Sequence, residues 1–177
     1  TLIGATTKLG NLTSPMRDRF GVIVRLDFYN DDDLFKIIKR SSELLNIKIN
    51  EKGCYEIAKR SRGTPRIANR ILKRTRDFAE VKSNGVITEE IAIKALDILG
   101  IDQTGLDEMD KNILKALINN FKGGPVGLDS LGIVISENPK TIEEVYEPFL
   151  IKEGYVQRTS RGRIALDKAF SYIENNK

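Results

Sequence analysis

Histidine is absent from the 177-residue sequence, and cysteine occurs once, as Cys54. A lone thiol excludes an internal disulfide framework. A chain without imidazole can build neither a Cys/His zinc site nor His-based acid–base catalysis, and no metal ligands are expected here. No apolar run is long enough to cross a bilayer. Residues 1–10 lack the basic stretch followed by an apolar one that marks a secretory leader. A reducing cytoplasm is the expected compartment. What remains is ordinary globular material: 40% hydrophobic and 31% charged residues, enough to bury a core in one domain or two small ones.

The formal net charge of +4 is modest, but it is unevenly spread. Residues 1–30 carry four basic and two acidic side chains, 31–103 fifteen and twelve, and 104–177 ten and eleven. From Lys59 to Arg76 there are eight basic residues and no acid. Such a run either meets an anionic partner, phosphate or nucleic acid, or forms the solvated face of a helix.

Thr1–Thr7 reads as a short buried strand ending in hydroxyls, and Val22–Phe28, β-branched and apolar, as a second strand. Gly10, Asn11, Thr13, Ser14 and Pro15 mark a loop and short turn between them. Two such strands cannot form a domain alone and read as the closing edge of a parallel α/β unit. A helical segment follows. Asp31-Asp32-Asp33 supplies an N-cap and first-turn charge to a helix with Leu34, Ile37, Ile38 and Leu45 on one face. A second helix follows Asn50, with Cys54, Ile57 and Ala58 inward. The third is capped by Thr64, begins at Pro65 and carries an apolar stripe from Ile67 to Ala79. Thr88 caps a fourth, which ends at Gly100.

Gly100–Gly105 reads as a linker that proteases should cut first. Beyond it, Leu106, Met109, Ile113, Leu117 and Phe121 mark a helix stopped by Gly123-Gly124-Pro125. Shorter helices are predicted around 128–135 and 141–150. Tyr155–Thr159, a Ser160-Arg161-Gly162 turn and Arg163–Leu166 then read as a β-hairpin. Three helices followed by a hairpin is the order of a winged helix-turn-helix.

Individual residues suggest chemistry. Arg19, between a loop and a strand, either projects from a domain edge toward a neighbouring subunit's phosphates or pairs with Asp18 or Asp27. Arg66 stands at the second position of its helix, where a cation opposes the helix dipole. An anion bound where the arginine and the helix amides converge would account for it, and so would a side chain reaching into solvent. Tyr29, after the second strand, either packs on a base or ribose or belongs to a core between domains. The predicted third helix of the last segment carries Glu143, Glu144 and Glu147, which would repel phosphate. The hairpin carries Arg158, Arg161 and Arg163 with no acid from Tyr155 to Leu166. The wing, rather than the helix, is therefore expected to hold DNA, through backbone phosphates. The alternative is a scaffold hairpin with solvated arginines.

Several segments resemble a known family. Leu2-Ile3-Gly4-Ala5-Thr6-Thr7 is similar to the sensor 1 strand of AAA+ ATPases, and Arg19-Phe20-Gly21 to their arginine-finger segment. Arg62-Gly63-Thr64-Pro65-Arg66-Ile67-Ala68-Asn69-Arg70 resembles sensor 2 of the helical lid. Gly123-Gly124-Pro125-Val126-Gly127-Leu128, Glu147-Pro148-Phe149-Leu150-Ile151 and Arg158-Thr159-Ser160-Arg161-Gly162-Arg163 match the RuvB family in order and spacing, so the likeness spans essentially the whole chain. It implies a mainly α fold with small β elements: residues 1–31 as the end of the large AAA+ α/β domain, 32–102 as a four-helix lid, and 105–177 as a winged-helix DNA-binding head. By the same resemblance Thr7 corresponds to sensor 1, Arg19 to the catalytic finger, Arg66 to sensor 2, and Tyr29 to a residue near the nucleotide. Arg158 and Arg163 correspond to DNA contacts, with Arg161 between them.

The activity implied is that of an ATP-dependent DNA translocase, a helicase and ATP hydrolase at full length, which promotes Holliday-junction branch migration in recombination and repair. ATP/ADP and Mg2+ are the implied cofactors, with the magnesium ligands expected upstream. The implied partners are duplex arms of Holliday junctions, RuvA, RuvC and the other subunits of a homohexamer. Neither the glycine-rich phosphate loop with its lysine nor the acidic magnesium motif is present, so residues 1–177 alone are expected not to hydrolyse ATP. Two other readings share parts of the pattern. One is a winged-helix AAA+ protein of the initiator or origin-recognition type, against which the Gly123–Leu128 turn and the Arg158–Arg163 pattern weigh. The other is a winged-helix transcription regulator, whose marker would be a basic recognition helix in place of this acidic one.

Overall fold

A computed structural model of the chain describes residues 1–6 and 9–176. Thr7 lies outside the described residues. The first thirty residues form a 3-10 turn at Leu9–Asn11 and a short helix α1, Ser14–Asp18. The two strands expected on either side of them do not form among the described residues. Leu2 and Ile3 are 75% and 91% exposed, and Val22, Val24 and Leu26 are 79%, 71% and 90% exposed. The physical reason is that a strand exists only by pairing. These segments have strand-like residues, but no described backbone lies beside them to complete a ladder.

From residue 30 onward the chain is helical. Helix α2, Asp31–Leu44, is capped by the Asn30 side chain, which accepts from the Asp33 N–H at 2.8 Å. The three aspartates occupy its first turn, where negative charge suits the helix dipole, so the cap sits one residue earlier than expected. Leu34 and Ile38 are fully buried, but Leu45 is 41% exposed. It is the residue where the helix unwinds, and Ile47, just beyond, turns inward instead. Asn50 caps α3, Glu51–Lys59. Helix α4, Pro65–Lys82, begins with proline at its first position. Thr64 makes no side-chain cap there, because its hydroxyl donates to the Arg62 carbonyl. Helix α5, Glu89–Ile98, is capped by Thr88. Two short strands that periodicity did not reveal, β1 at Lys48–Ile49 and β2 at Val86–Ile87, pair in parallel and tie the start of α3 to the start of α5. The four helices close on one core that includes Leu34, Ile57, Ile71, Leu72 and Leu96.

Residues 100–106 are tied down rather than loose. The Asp102 carboxylate accepts from the Thr104 N–H and hydroxyl, the Leu106 N–H and the Tyr172 hydroxyl, and Gly105 and Leu106 are buried. A second core then gathers α6, Glu108–Lys115, which runs on through a wide π turn at Ala116–Asn120, with α7, Leu128–Ile135. A third helical stretch follows as α8, Pro139–Thr141, a π turn at Ile142–Tyr146, and α9, Glu147–Lys152. Pro148 has no N–H to offer the preceding turn, and the wide turn falls directly before it. The hairpin is β3, Val156–Thr159, with β4, Gly162–Ala165, and a last helix, α10, Asp167–Asn175, closes the core with Ala169 and Ile173. Three helices and a hairpin agree with the winged-helix order, and α10 is an addition to it. Taken whole, the chain is mainly α with small β elements, as expected.

Candidate functional site

Two places concentrate the residues singled out by the sequence. The first is the start of α4. Arg62 and Gly63 both have positive φ, +58° and +69°, and between them turn the chain into the helix. A Cβ at Gly63 would stand 2.8 Å from Phe28 Cβ and 3.0 Å from the Tyr29 carbonyl, so only glycine fits this crossing. The Tyr29 N–H donates to the Gly63 carbonyl at 2.9 Å, which brings Tyr29 to the loop just before Arg66. Tyr29 is 46% exposed among the described residues. Arg66 is exposed and makes no ion pair with the described residues, as is also true of Arg70, Lys73 and Arg74 on the next turns. An exposed arginine in the first turn of a helix, with Tyr29 joined by its backbone to the loop before it, is a combination that a phosphate and its base or ribose could use. Arg19 is exposed at the end of α1 and pairs with neither Asp18 nor Asp27, the latter lying 3.5 Å from Arg25. Arg19 and Arg66 belong to different segments. Among the described residues no group of three or more acidic or cysteine side chains is placed to hold a metal ion.

Arg62, notable in the sequence only as part of a motif, proves structurally central. Its guanidinium, 10% exposed, bonds Asp107 at 3.1 Å and Asp110 at 2.9 Å, and lies 4.2 Å from the centre of the Phe149 ring. Asp107 and Asp110 are the two halves of the capping box that starts α6. Burial pushes the Asp110 carboxyl up to about 7, and the Arg62 charge works in the opposite direction. Close by, Lys152 Nζ sits 4.9 Å from the Phe28 ring. The α4 turn is thereby bound to the winged-helix core.

The second place is the wing. Arg158 and Arg163 are register partners across β3 and β4, so their side chains leave the hairpin on one face. Strand β4 is fixed on its other edge too. Val126 and Arg163 exchange both backbone hydrogen bonds, and a Cβ at Gly162 would collide with the Val126 carbonyl. The Gly123–Leu128 stretch thus braces the backbone that carries Arg163. Both guanidinia converge on Glu147, whose side chain is only 3% exposed. Arg158 bonds it at 3.0 and 2.9 Å, and Arg163 at 3.0 and 3.1 Å. Burial works to raise the Glu147 carboxyl, but the hydrogen bonds from both arginines outweigh it and hold the group below its ordinary range. Glu143 adds a bond to Arg158 at 3.1 Å and lies 3.9 Å from Arg163. Arg161, at the hairpin tip, is exposed and makes no ion pair with the described residues. The acids of the third helix, expected only to repel DNA, therefore also pair with the wing. The signal that could have exposed this is the spacing of Glu143 and Glu147, one helical turn apart on one face.

A four-helix lid opening at an arginine-bearing turn, bound to a winged helix, is the arrangement of a AAA+ lid joined to a winged-helix domain. The particular branch follows from comparison with known proteins. The chain belongs to the RuvB family: residues 29–102 match the RuvB AAA lid domain and residues 103–174 the RuvB C-terminal winged helix domain. A solved point variant of Thermotoga maritima RuvB is 47% identical, with a TM-score of 0.89, over 97% of this chain and 57% of that one. The structure described as the Thermotoga maritima RuvB Holliday junction branch migration motor is 46% identical, with a TM-score of 0.87, over 93% of this chain and 55% of that one. The chain thus spans little more than half the length of these relatives.

Proposed function

We propose that this chain is the C-terminal portion of an ATP-driven motor that moves Holliday junctions along duplex DNA. In this reading residues 1–31 close the large ATPase domain, 32–102 are its lid, and 105–177 are the head that grips DNA. The exposed apolar side chains of 22–28 are what an edge strand of that large domain would present. Arg66, and Tyr29 beside its loop, face a nucleotide bound by the same subunit, with Thr7 as sensor 1, while Arg19 reaches a neighbour's nucleotide in a homohexameric ring. ATP and Mg2+ are held mainly by parts of the protein beyond these residues, and duplex arms, RuvA and RuvC are the partners.

The observation that carries the reading is the pair Arg158 and Arg163, brought side by side on a wing whose tip adds a third arginine. Phosphate contacts carry no base identity, which suits a protein that must pass over any sequence. Duplex affinity measured against salt tests it. Arg158→Ala and Arg161→Ala should each weaken binding to two unrelated sequences alike, and each should flatten the log–log salt slope by about one, the share of a single phosphate. A loss confined to one sequence would mean base readout, and an unchanged slope would mean that the backbone is not touched.

A further inference from the structure

The four charges at the base of the wing are not equivalent. Glu147 is buried, and each of its oxygens accepts from both arginines. Glu143, one turn earlier, is 43% exposed and holds a single hydrogen bond, to an Arg158 that is itself 49% exposed. Removing Glu147 would leave two guanidinia facing each other across a hairpin, where like charges splay apart. It would also strand Arg163, only 14% exposed, without its bidentate partner. Removing Glu143 breaks a solvent-facing pair with Arg158, whose worth is small, and a longer 3.9 Å contact with Arg163, which keeps both of its bonds to Glu147. While both acids stay in place the two arginines are fully neutralised and offer DNA little. A carboxylate oxygen at a guanidinium edge uses the same N–H donors that a phosphate oxygen would use.

We propose that the two acids act on the wing in opposite senses. Glu147 is a positioning residue that holds Arg158 and Arg163 side by side, and Glu143 is a built-in stand-in for a DNA phosphate that gives way when duplex arrives. The proposal rests on the reading of the wing as a DNA contact. With Glu143 displaced, the cluster keeps one net positive charge and the freed N–H edge of Arg158 faces the incoming backbone. Glu147, with four hydrogen bonds in a buried setting, does not move. The acidic helix thus sets the threshold for DNA binding.

The test uses the intact chain and a short blunt duplex of mixed sequence, with affinity measured at low salt. E143Q should bind about threefold tighter, the scale of one exposed ion pair. In an Arg158→Ala background most of that gain should vanish, because the guanidinium hydrogen-bonded to Glu143 is gone and Arg163, 3.9 Å away, stays bound to Glu147. E147Q, checked for native far-UV circular dichroism, should bind at least about tenfold more weakly, and the loss should disappear when Arg158 and Arg163 are both alanine. Equal or weaker binding by E143Q, with Arg158→Ala still harmful, would overturn the stand-in role and leave the DNA reading intact. Wild-type affinity in E147Q would overturn the positioning role. If Arg158→Ala and Arg163→Ala both bind like wild type, the DNA reading falls and the proposal with it. The E143Q cycle does not depend on E147Q folding, since Glu143 lies at the surface.

Discussion

At the residue scale the pairing of Glu147 has a consequence for stability as well as for binding. A carboxyl held below its ordinary value in the folded state adds stability above that value and gives it up as pH falls through it. The ordinary value is 4.5, so the contribution should be complete at neutral pH and drain away below 4.5. Urea denaturation over a pH series should separate wild type from Glu147→Gln by about 3 kcal/mol near neutrality. The two curves should draw together in acid, and curves that stay parallel would show that Glu147 does not titrate against the arginines. The sequence revealed the arginines but not this partner. Glu147 lies 11 residues from Arg158 and 16 from Arg163; its spacing from Glu143 marks a shared acidic face, but not that the fold sets this face against the hairpin. Arg62 was hidden for the same reason, with partners 45 and 48 residues away.

Among the elements, those set by local rules were legible and those set by neighbours were not. Helices α2 to α5 follow from apolar periodicity, the Thr88 cap and the proline at the start of α4, while the α2 cap fell on Asn30 rather than on the aspartates and Thr64 makes none. The expected strand at 22–28 had the right residues, but a strand is a relation between two backbones and only one is present. Residues 100–105 had the glycines of a linker, yet the Asp102 carboxylate gathers the loop onto itself and onto Tyr172. The join between α4 and α6 is testable at this scale. Arg62→Ala would leave the fully buried Asp110 without its cation, and the carboxyl, already raised to about 7, would take up a proton, so the cost in equilibrium denaturation should be about 1–3 kcal/mol, that of lost hydrogen bonds rather than of a stranded charge. Arg62→Lys should recover only part of that, since an ammonium cannot fork between two carboxylates and lie flat on the Phe149 ring. A cost no greater than that of a surface substitution would mean that the fork contributes little.

For the whole molecule, composition and motif order carried far: the mainly helical fold, the lid and the wing were all readable in the sequence. What sequence left open was which arginines are free. Among the described residues Arg19 and Arg66 make no ion pair, whereas Arg158 and Arg163 are engaged. In the full-length protein, Arg19→Ala should still bind ATP yet lose hydrolysis, and mixing it with a variant defective in the phosphate-binding loop should restore part of the activity in hybrid rings. Absence of recovery under conditions that allow subunits to exchange would place Arg19 outside the neighbour's site.

The Arg62 joint decides what sort of mechanical part this is. A slack tether between lid and head would let each tumble alone, and motion at one end would be lost as heat in the coupling. A buried fork with an aromatic ring stacked on its face leaves little play. Whatever turns the start of α4 therefore pulls directly on the cap of α6 and on the Phe149 ring, through charge and contact rather than through slack chain.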